Sequence, residues 1–251
     1  MIIEESGTNM NEIIYRLRPV SDKTIEELTE PYLWFSRPTE YKDSDDANII
    51  AFSEENTTVK ELFEQIFGNA EKLGEELSRL GMCCFTKCLP KATEWRRFPK
   101  GHNSIFIEYD KKILEEYFIR KYYLGNCFKE VQYKEHPIIL ESSDKNGYDV
   151  LWEETKDGEY YKSLRGDIAR DQKLMDEFIM RFITTINIRY EKQDEERIIL
   201  PYRVIQNAPQ DVLGYRIKIP KESIRKIYYN RNTDENFVGT LKEMDFLMVE
   251  K

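Results

Sequence analysis

The apolar positions change rhythm several times along the chain, and each change marks an element. Residues 13–18 (IIYRLR) read as a strand, SDKTIEEL as a short helix capped by Ser21 or Asp22 and ended by Pro31, and 32–36 (YLWFS) as a second strand. The strongest helical stripe is 59–80. There Val59, Leu62, Phe63, Ile66, Phe67, Ala70, Leu73, Leu77 and Leu80 share one face, Thr58 and Glu61 form a capping box, and Gly81 follows the end. Strands are predicted at 82–87, 103–109 and 128–133, with a helix led by Asp110 that places Ile113, Leu114, Tyr117 and Phe118 on one side. Residues 141–167 have no clean period and many Asp, Gly and Ser, so they read as a loop or insertion leading to a helix near 168–184. Four further strands follow at 197–205, 213–219, 224–229 and 244–249. Strands outnumber helices without a strict βαβ alternation. The expectation is therefore a single α+β domain over 1–251, with a central mixed or antiparallel sheet flanked by amphipathic helices.

Composition narrows the function classes. The 251 residues are 40% hydrophobic and 13% aromatic, a globular balance, and the net charge of −9 argues against broad wrapping of nucleic acid or adhesion to an anionic membrane. Cys83, Cys84, Cys88 and Cys127 form no paired C-x-x-C units and read as reduced thiols. Two histidines, His102 and His136, are too few for a multi-His metal centre, and no metal is expected, although carboxylate-bound Mg²⁺ stays open. No run of eighteen apolar residues occurs and the first residues are acidic, so the expected location is the cytoplasm.

Against that acidic background, residues 87–102 carry Lys87, Lys91, Arg96, Arg97 and Lys100 with Glu94 as their only acid. Two arginines between Trp95 and Phe98 suit a loop that clamps phosphate while an aromatic face stacks a ring. The plainer reading makes Trp95 and Phe98 core anchors beneath a basic surface loop. Arg16 and Arg18, two apart on a strand, share a face that could hold a pyrophosphate or could be the solvated face of an edge strand. Glu195 and Arg197 repeat the spacing, as a pair that orients a sugar hydroxyl and stabilises developing positive charge, or as an ordinary ion pair. Asp43, Asp45 and Asp46 cluster in a turn-rich stretch without EF-hand spacing. P-loop, G-x-G-x-x-G, G-x-S-x-G and H-E-x-x-H patterns are all missing.

Taken in order, these pieces resemble the bacterial family catalogued as domain of unknown function 2971. Its opening Tyr-Lys-Tyr-Arg-like strand is matched by Tyr15, Arg16, Leu17 and Arg18, and its Phe-Ser, x-Pro, Phe-Asn-Asp-Pro stretch by Trp34, Phe35, Ser36, Pro38, Tyr41, Asp43 and Asp46. Cys84, Phe85 and Thr86 match a Cys-Phe-Ser strand. The Trp-Ser-His-Tyr-Ala and His-x-Gly signature lies over Trp95, Arg96, Arg97, Phe98, Pro99, His102, Ser104, Tyr109 and Asp110, with Arg97 where the family has His. A late Trp-x-x-Glu-x-Glu-x-Arg element is matched by Tyr190, Gln193, Glu195 and Arg197, with Gln for the first Glu.

The layout is also similar to toxin-type ADP-ribosyltransferases: an Arg-bearing first strand, an aromatic-Ser second strand, and a late Glu opening a strand that is followed by Ile219, Pro220, Ile224 and Ile227. That resemblance implies NAD as substrate, with Arg16, Arg18 and Ser36 holding it and Glu195 engaging the nicotinamide ribose. Trp95, Arg96, Arg97, His102 and Arg197 would then bind phosphate or a protein or nucleic-acid acceptor. The expected function is an NAD-consuming effector of the toxin or phage-defence kind. Two alternatives stand beside it: a non-catalytic module binding nucleotide, nucleic acid or protein, and a Mg-dependent nuclease built on Asp43, Asp45, Asp46 and Glu195.

Overall fold

The computed structural model describes residues 13–40, 75, 77–98, 101–134, 179–180, 183–208, 210–211 and 213–251. Most of the predicted 59–80 helix, the 141–167 stretch and most of the 168–184 helix lie outside the described residues. Those described form an α+β architecture built on one large, mostly antiparallel sheet. Its strands are β1 (Ile13–Pro19), β2 (Tyr32–Ser36), β3 (Gly81–Thr86), β4 (Ser104–Asp110), β5 (Phe128–Glu130), β8 (Glu195–Leu200), β9 (Gln210–Asp211), β10 (Gly214–Lys218), β11 (Ile224–Tyr229) and β12 (Met248–Glu250). A second, two-stranded parallel sheet joins β6 (Gln132–Lys134) to β7 (Thr185–Asn187). The predicted 128–133 strand is thus split, its two halves serving different sheets.

The order β12-β11-β4-β1 continues through β3 to β2-β10-β9. β3 pairs along all six residues with β8, from Gly81–Leu200 to Thr86–Glu195, and β8 pairs in turn with β5. With that edge occupied, β1 and β2 must share the other edge of β3. They do so at opposite ends, β1 through Tyr15–Thr86 and β2 through Ser36–Met82. Between these two joints the sheet is parted.

Four helices are described: α1 (Asp22–Thr29), α2 (Lys111–Tyr122), α3 (Tyr202–Ile205) and α4 (Glu235–Lys242). Ser21 caps α1 by accepting from the Thr24 amide, and Asp110 caps α2 by accepting from Ile113. The predicted 197–205 strand ends at Leu200, because Pro201 has no amide to continue a ladder and instead opens α3. The C-terminal strand predicted at 244–249 is instead the short Met248–Glu250. The preceding α4, capped by Asp234 and burying Phe237, Val238 and Leu241, is not among the predicted helices.

Leu28 of α1, Leu114 and Phe118 of α2 and Leu241 of α4 join Leu33, Phe35, Ile105, Ile107 and Ile198 in the main core. Phe106, between two of those isoleucines, must point to the other face. There it meets Trp95 at 4.9 Å between ring centroids, and Tyr228, Tyr15 and Leu17 complete a smaller cluster. With both faces covered, β4 is buried along six of its seven residues.

Candidate functional site

The parting between β1, β2 and β3 opens a cavity of about 280 Å³. Tyr15 to Arg18 form one side, Ser36 closes one end, and Met82, Cys84 and Thr86 form the opposite side with Gln193 and Glu195 behind them. Phe98 and Phe106 add aromatic surface. Arg16, Arg18, Ser36 and Glu195, far apart in the chain, therefore meet at one place.

Arg16 and Arg18 are not the solvated face of an edge strand. β1 pairs with β4 along its whole length and with β3 at Tyr15, and both guanidiniums turn to Glu27 of α1, whose side chain is 1% exposed. Arg16 Nη1 lies 3.2 Å from Glu27 Oε1 and Arg18 Nη2 2.6 Å from Oε2. Arg16 Nη2 also donates to the Trp34 carbonyl of β2 at 2.9 Å, a side-chain bridge across the parted strands. Burial works against the Arg16 charge, but the surrounding Cys83 and Glu27 more than offset it and raise its pKa. At neutral pH Glu27 is the operative partner, because burial pushes the Cys83 thiol up to about 11 and leaves it uncharged.

The facing wall is built differently. Gln193 ends a 3-10 segment, and Asp194, at φ 43°, turns the chain into β8 in a left-handed conformation that Asp tolerates better than most residues. Glu195 and Arg197 share a face with Thr86 and Cys84, their register partners. Arg197 is fully buried. Its Nε donates to Glu195 Oε1 at 2.5 Å and its Nη1 to the Ile183 carbonyl at 2.7 Å. The Glu195 amide donates to the Tyr133 hydroxyl at 2.6 Å, while Thr86 Oγ1 donates to the Gln193 carbonyl at 2.5 Å. The Tyr15–Thr86 register sets Tyr15, Thr86 and Glu195 on one face of the sheet, so the Arg16 and Arg18 side chains leave on the opposite face, toward α1, and border the cavity from beyond the parting.

The basic loop is only partly in this site. Trp95 lies in a 3-10 segment over 92–97, is 1% exposed and donates Nε1–H to the Pro90 carbonyl at 3.1 Å, so it is a core anchor. The loop closes tightly over it: a Cβ on Gly101 would sit 1.7 Å from the Trp95 carbonyl oxygen. Arg97 belongs to the same segment, Arg96 and His102 are exposed, and Phe98 reaches the cavity. Asp43, Asp45 and Asp46 lie outside the described residues, and among the described residues no three His, Cys, Asp or Glu side chains are placed to hold a metal. Among them, too, no helix is long and apolar enough to cross a membrane.

Sequence reasoning missed Glu27, Tyr15 and Thr86 as site residues. Glu27 had a signal, as an acid beside Leu28 on the buried side of a short helix with Thr24. Tyr15 and Thr86 had none, because their role comes from the single joint they make. No known family profile, curated protein or solved structure matches the chain.

Proposed function

We propose that this protein binds NAD in the parting of its sheet and cleaves the bond between nicotinamide and ribose, transferring the ribosyl carbon to water or to an acceptor. The observation that carries the reading is the convergence of Arg16, Arg18, Ser36 and Glu195 on one cavity. At about 280 Å³ it sits near the lower end of small-molecule sites, a size suited to part of a dinucleotide rather than all of it.

In this scheme the cationic wall takes the diphosphate and the rings of Phe98 and Phe106 pack against a planar group. Breaking the C1′–N bond sends its electron pair to nicotinamide, which leaves neutral. Positive charge then develops on the ribose and is stabilised by the Glu195 carboxylate, whose position Arg197 holds. Attack by a hydroxyl oxygen at C1′ forms the new C–O bond and releases a proton. What supports a cytoplasmic toxin or phage-defence role is the resemblance in motif order to toxin-type ADP-ribosyltransferases and to the bacterial family of domain of unknown function 2971.

Incubation of the purified protein with NAD, with and without bacterial lysate or nucleic acid, should release nicotinamide, followed by chromatography. Glu195→Gln should abolish release without unfolding the chain, and an equally active variant would end the assignment. A second reading, a module that binds nucleotide without turnover, is favoured by the engagement of Glu195 with Arg197. It predicts binding by the parent and no nicotinamide in any condition.

A further inference from the structure

Glu195 opens β8, just after the left-handed turn at Asp194, and its backbone is held from one side only. Lys87 N–H donates to the Asp194 carbonyl at 2.9 Å, so the alternation of an antiparallel ladder leaves Thr86 and Glu195 opposite each other without a backbone hydrogen bond. We infer that Tyr133, on β6 of the small second sheet, is the positioning residue of Glu195. The inference rests on the role proposed for Glu195 and goes further, naming a residue outside the cavity lining that sets where its carboxylate stands.

On the side away from β3, the partner strand ends too soon. β5 pairs with β8 from Phe128–Ile198 to Glu130–Glu196, a register that brings Val131 opposite Glu195. Half of that pair forms: Val131 N–H donates to the Glu195 carbonyl at 3.3 Å. The other half does not, because the chain has turned away, with Gln132 N–H donating to the Thr184 carbonyl at 2.8 Å and β6 pairing with β7. The Glu195 amide donates instead to the Tyr133 hydroxyl at 2.6 Å. A side chain thus stands in for the missing ladder acceptor at the residue proposed to stabilise the reacting ribose.

The same small sheet holds the side chain. Arg197, which donates Nε–H to Glu195 Oε1 at 2.5 Å, donates Nη1–H to the Ile183 carbonyl at 2.7 Å, just before β7 begins. The amide and the carboxylate of Glu195 are therefore both anchored to β6–β7, and losing the Tyr133 bond frees the first of them. An amide shut from water without an acceptor is costly, so the backbone shifts to find one and carries the carboxylate off its seat on Arg197. Burial, the largest cause, raises the Tyr133 hydroxyl to about 12, so it stays an uncharged acceptor at neutral pH. A displacement of about 1 Å near a reacting centre is enough to cost on the order of 100-fold in rate.

Nuclear magnetic resonance of the full chain and steady-state nicotinamide release test this together in Tyr133→Phe, which removes a single oxygen. The Arg197 Nε–H resonance, identified by its absence from Arg197→Met, should exchange with solvent at least about tenfold faster than in the parent, although no hydrogen bond joins Tyr133 to Arg197 among the described residues. Nicotinamide release from NAD should fall by at least about tenfold in kcat with KM within about twofold, because Tyr133 touches no substrate. A bond that only supports the fold would speed exchange of the Glu195 amide and lower the melting temperature while the Arg197 resonance and kcat stayed at the parent's values. With an active parent, either of those two readouts left unchanged overturns the inference, as does a loss confined to KM. If Tyr133→Phe does not fold, 3-fluorotyrosine at position 133 keeps the hydroxyl but weakens it as an acceptor; both readouts should move the same way, and stillness in either overturns the inference. A parent that releases no nicotinamide removes the cleavage reading alone. The Arg197 resonance then decides the positioning role by itself, for it when exchange quickens and against it when exchange is unchanged.

Discussion

The two walls of the cavity solve the same problem, how to bury charge, in opposite ways. On the β1 side, one carboxylate on α1 serves two arginines on a strand, and the group is left positive. On the β8 side, one arginine serves one carboxylate two residues away on the same strand, and the pair is neutral. A buried charge is tolerable only with partners, and removing one partner costs more than the pair contributes. The asymmetry therefore leaves one group with a surplus positive charge and holds the Glu195 carboxylate in a fixed place; under the proposed function the first would favour an anion.

Damage to the two walls should therefore be unequal. Glu27→Gln strands two guanidiniums at once and should lose about 3–5 kcal/mol in urea unfolding, the largest effect of any single change discussed. A loss no larger than that from Arg197→Met would break the comparison.

Alkaline pH should also strain the β1 side. Cys83, whose pKa burial raises from 9.0 to about 11, keeps its proton in the folded chain between those values while the unfolded chain has lost it. Stability should therefore fall as pH rises through that window, by about 1.4 kcal/mol per pH unit from this group. Unfolding free energies measured at pH 8, 10 and 11, roughly spanning that window, should flatten in Cys83→Ala, leaving only the share of other raised groups such as Cys127.

On the β8 side, Arg197→Met should cost about 2 kcal/mol, because Glu195 at the cavity surface can recover water that Glu27 cannot reach. Circular dichroism melts alongside nicotinamide release would show whether stability and turnover fall together. The smallest effect is expected from Ser21→Ala, about 1 kcal/mol from the lost α1 cap. Hydrogen exchange should then quicken in α1, which carries Glu27, and stay unchanged in β8.

Much of the frame was legible before any coordinates. β1, β2, β3, β4 and β11 sit within a residue or so of their predicted bounds, because alternation and turn residues are local signals. The strand assigned to 197–205 ran too far because RIILPYRVI is apolar throughout, so hydrophobicity masked the stop that Pro201 imposes. The 128–133 segment failed for another reason: nothing local says that two halves of one extended run will join different sheets.

The candidate site divides along the same line. The types and order of its charged residues, Arg16 and Arg18 early, Ser36 next and Glu195 late, were readable as chemistry in waiting. Trp95 could be read equally as ligand platform or core, and burial decided for core. That β1 is interior rather than an edge, that Glu27 is the shared counter-ion, and that a cavity opens between two single-pair joints all depend on contacts between residues distant in the chain. Local periodicity records which side of an element is apolar, whereas pairing partners and gaps are set by how those sides are jointly buried, and one residue's pattern carries no trace of its partner's.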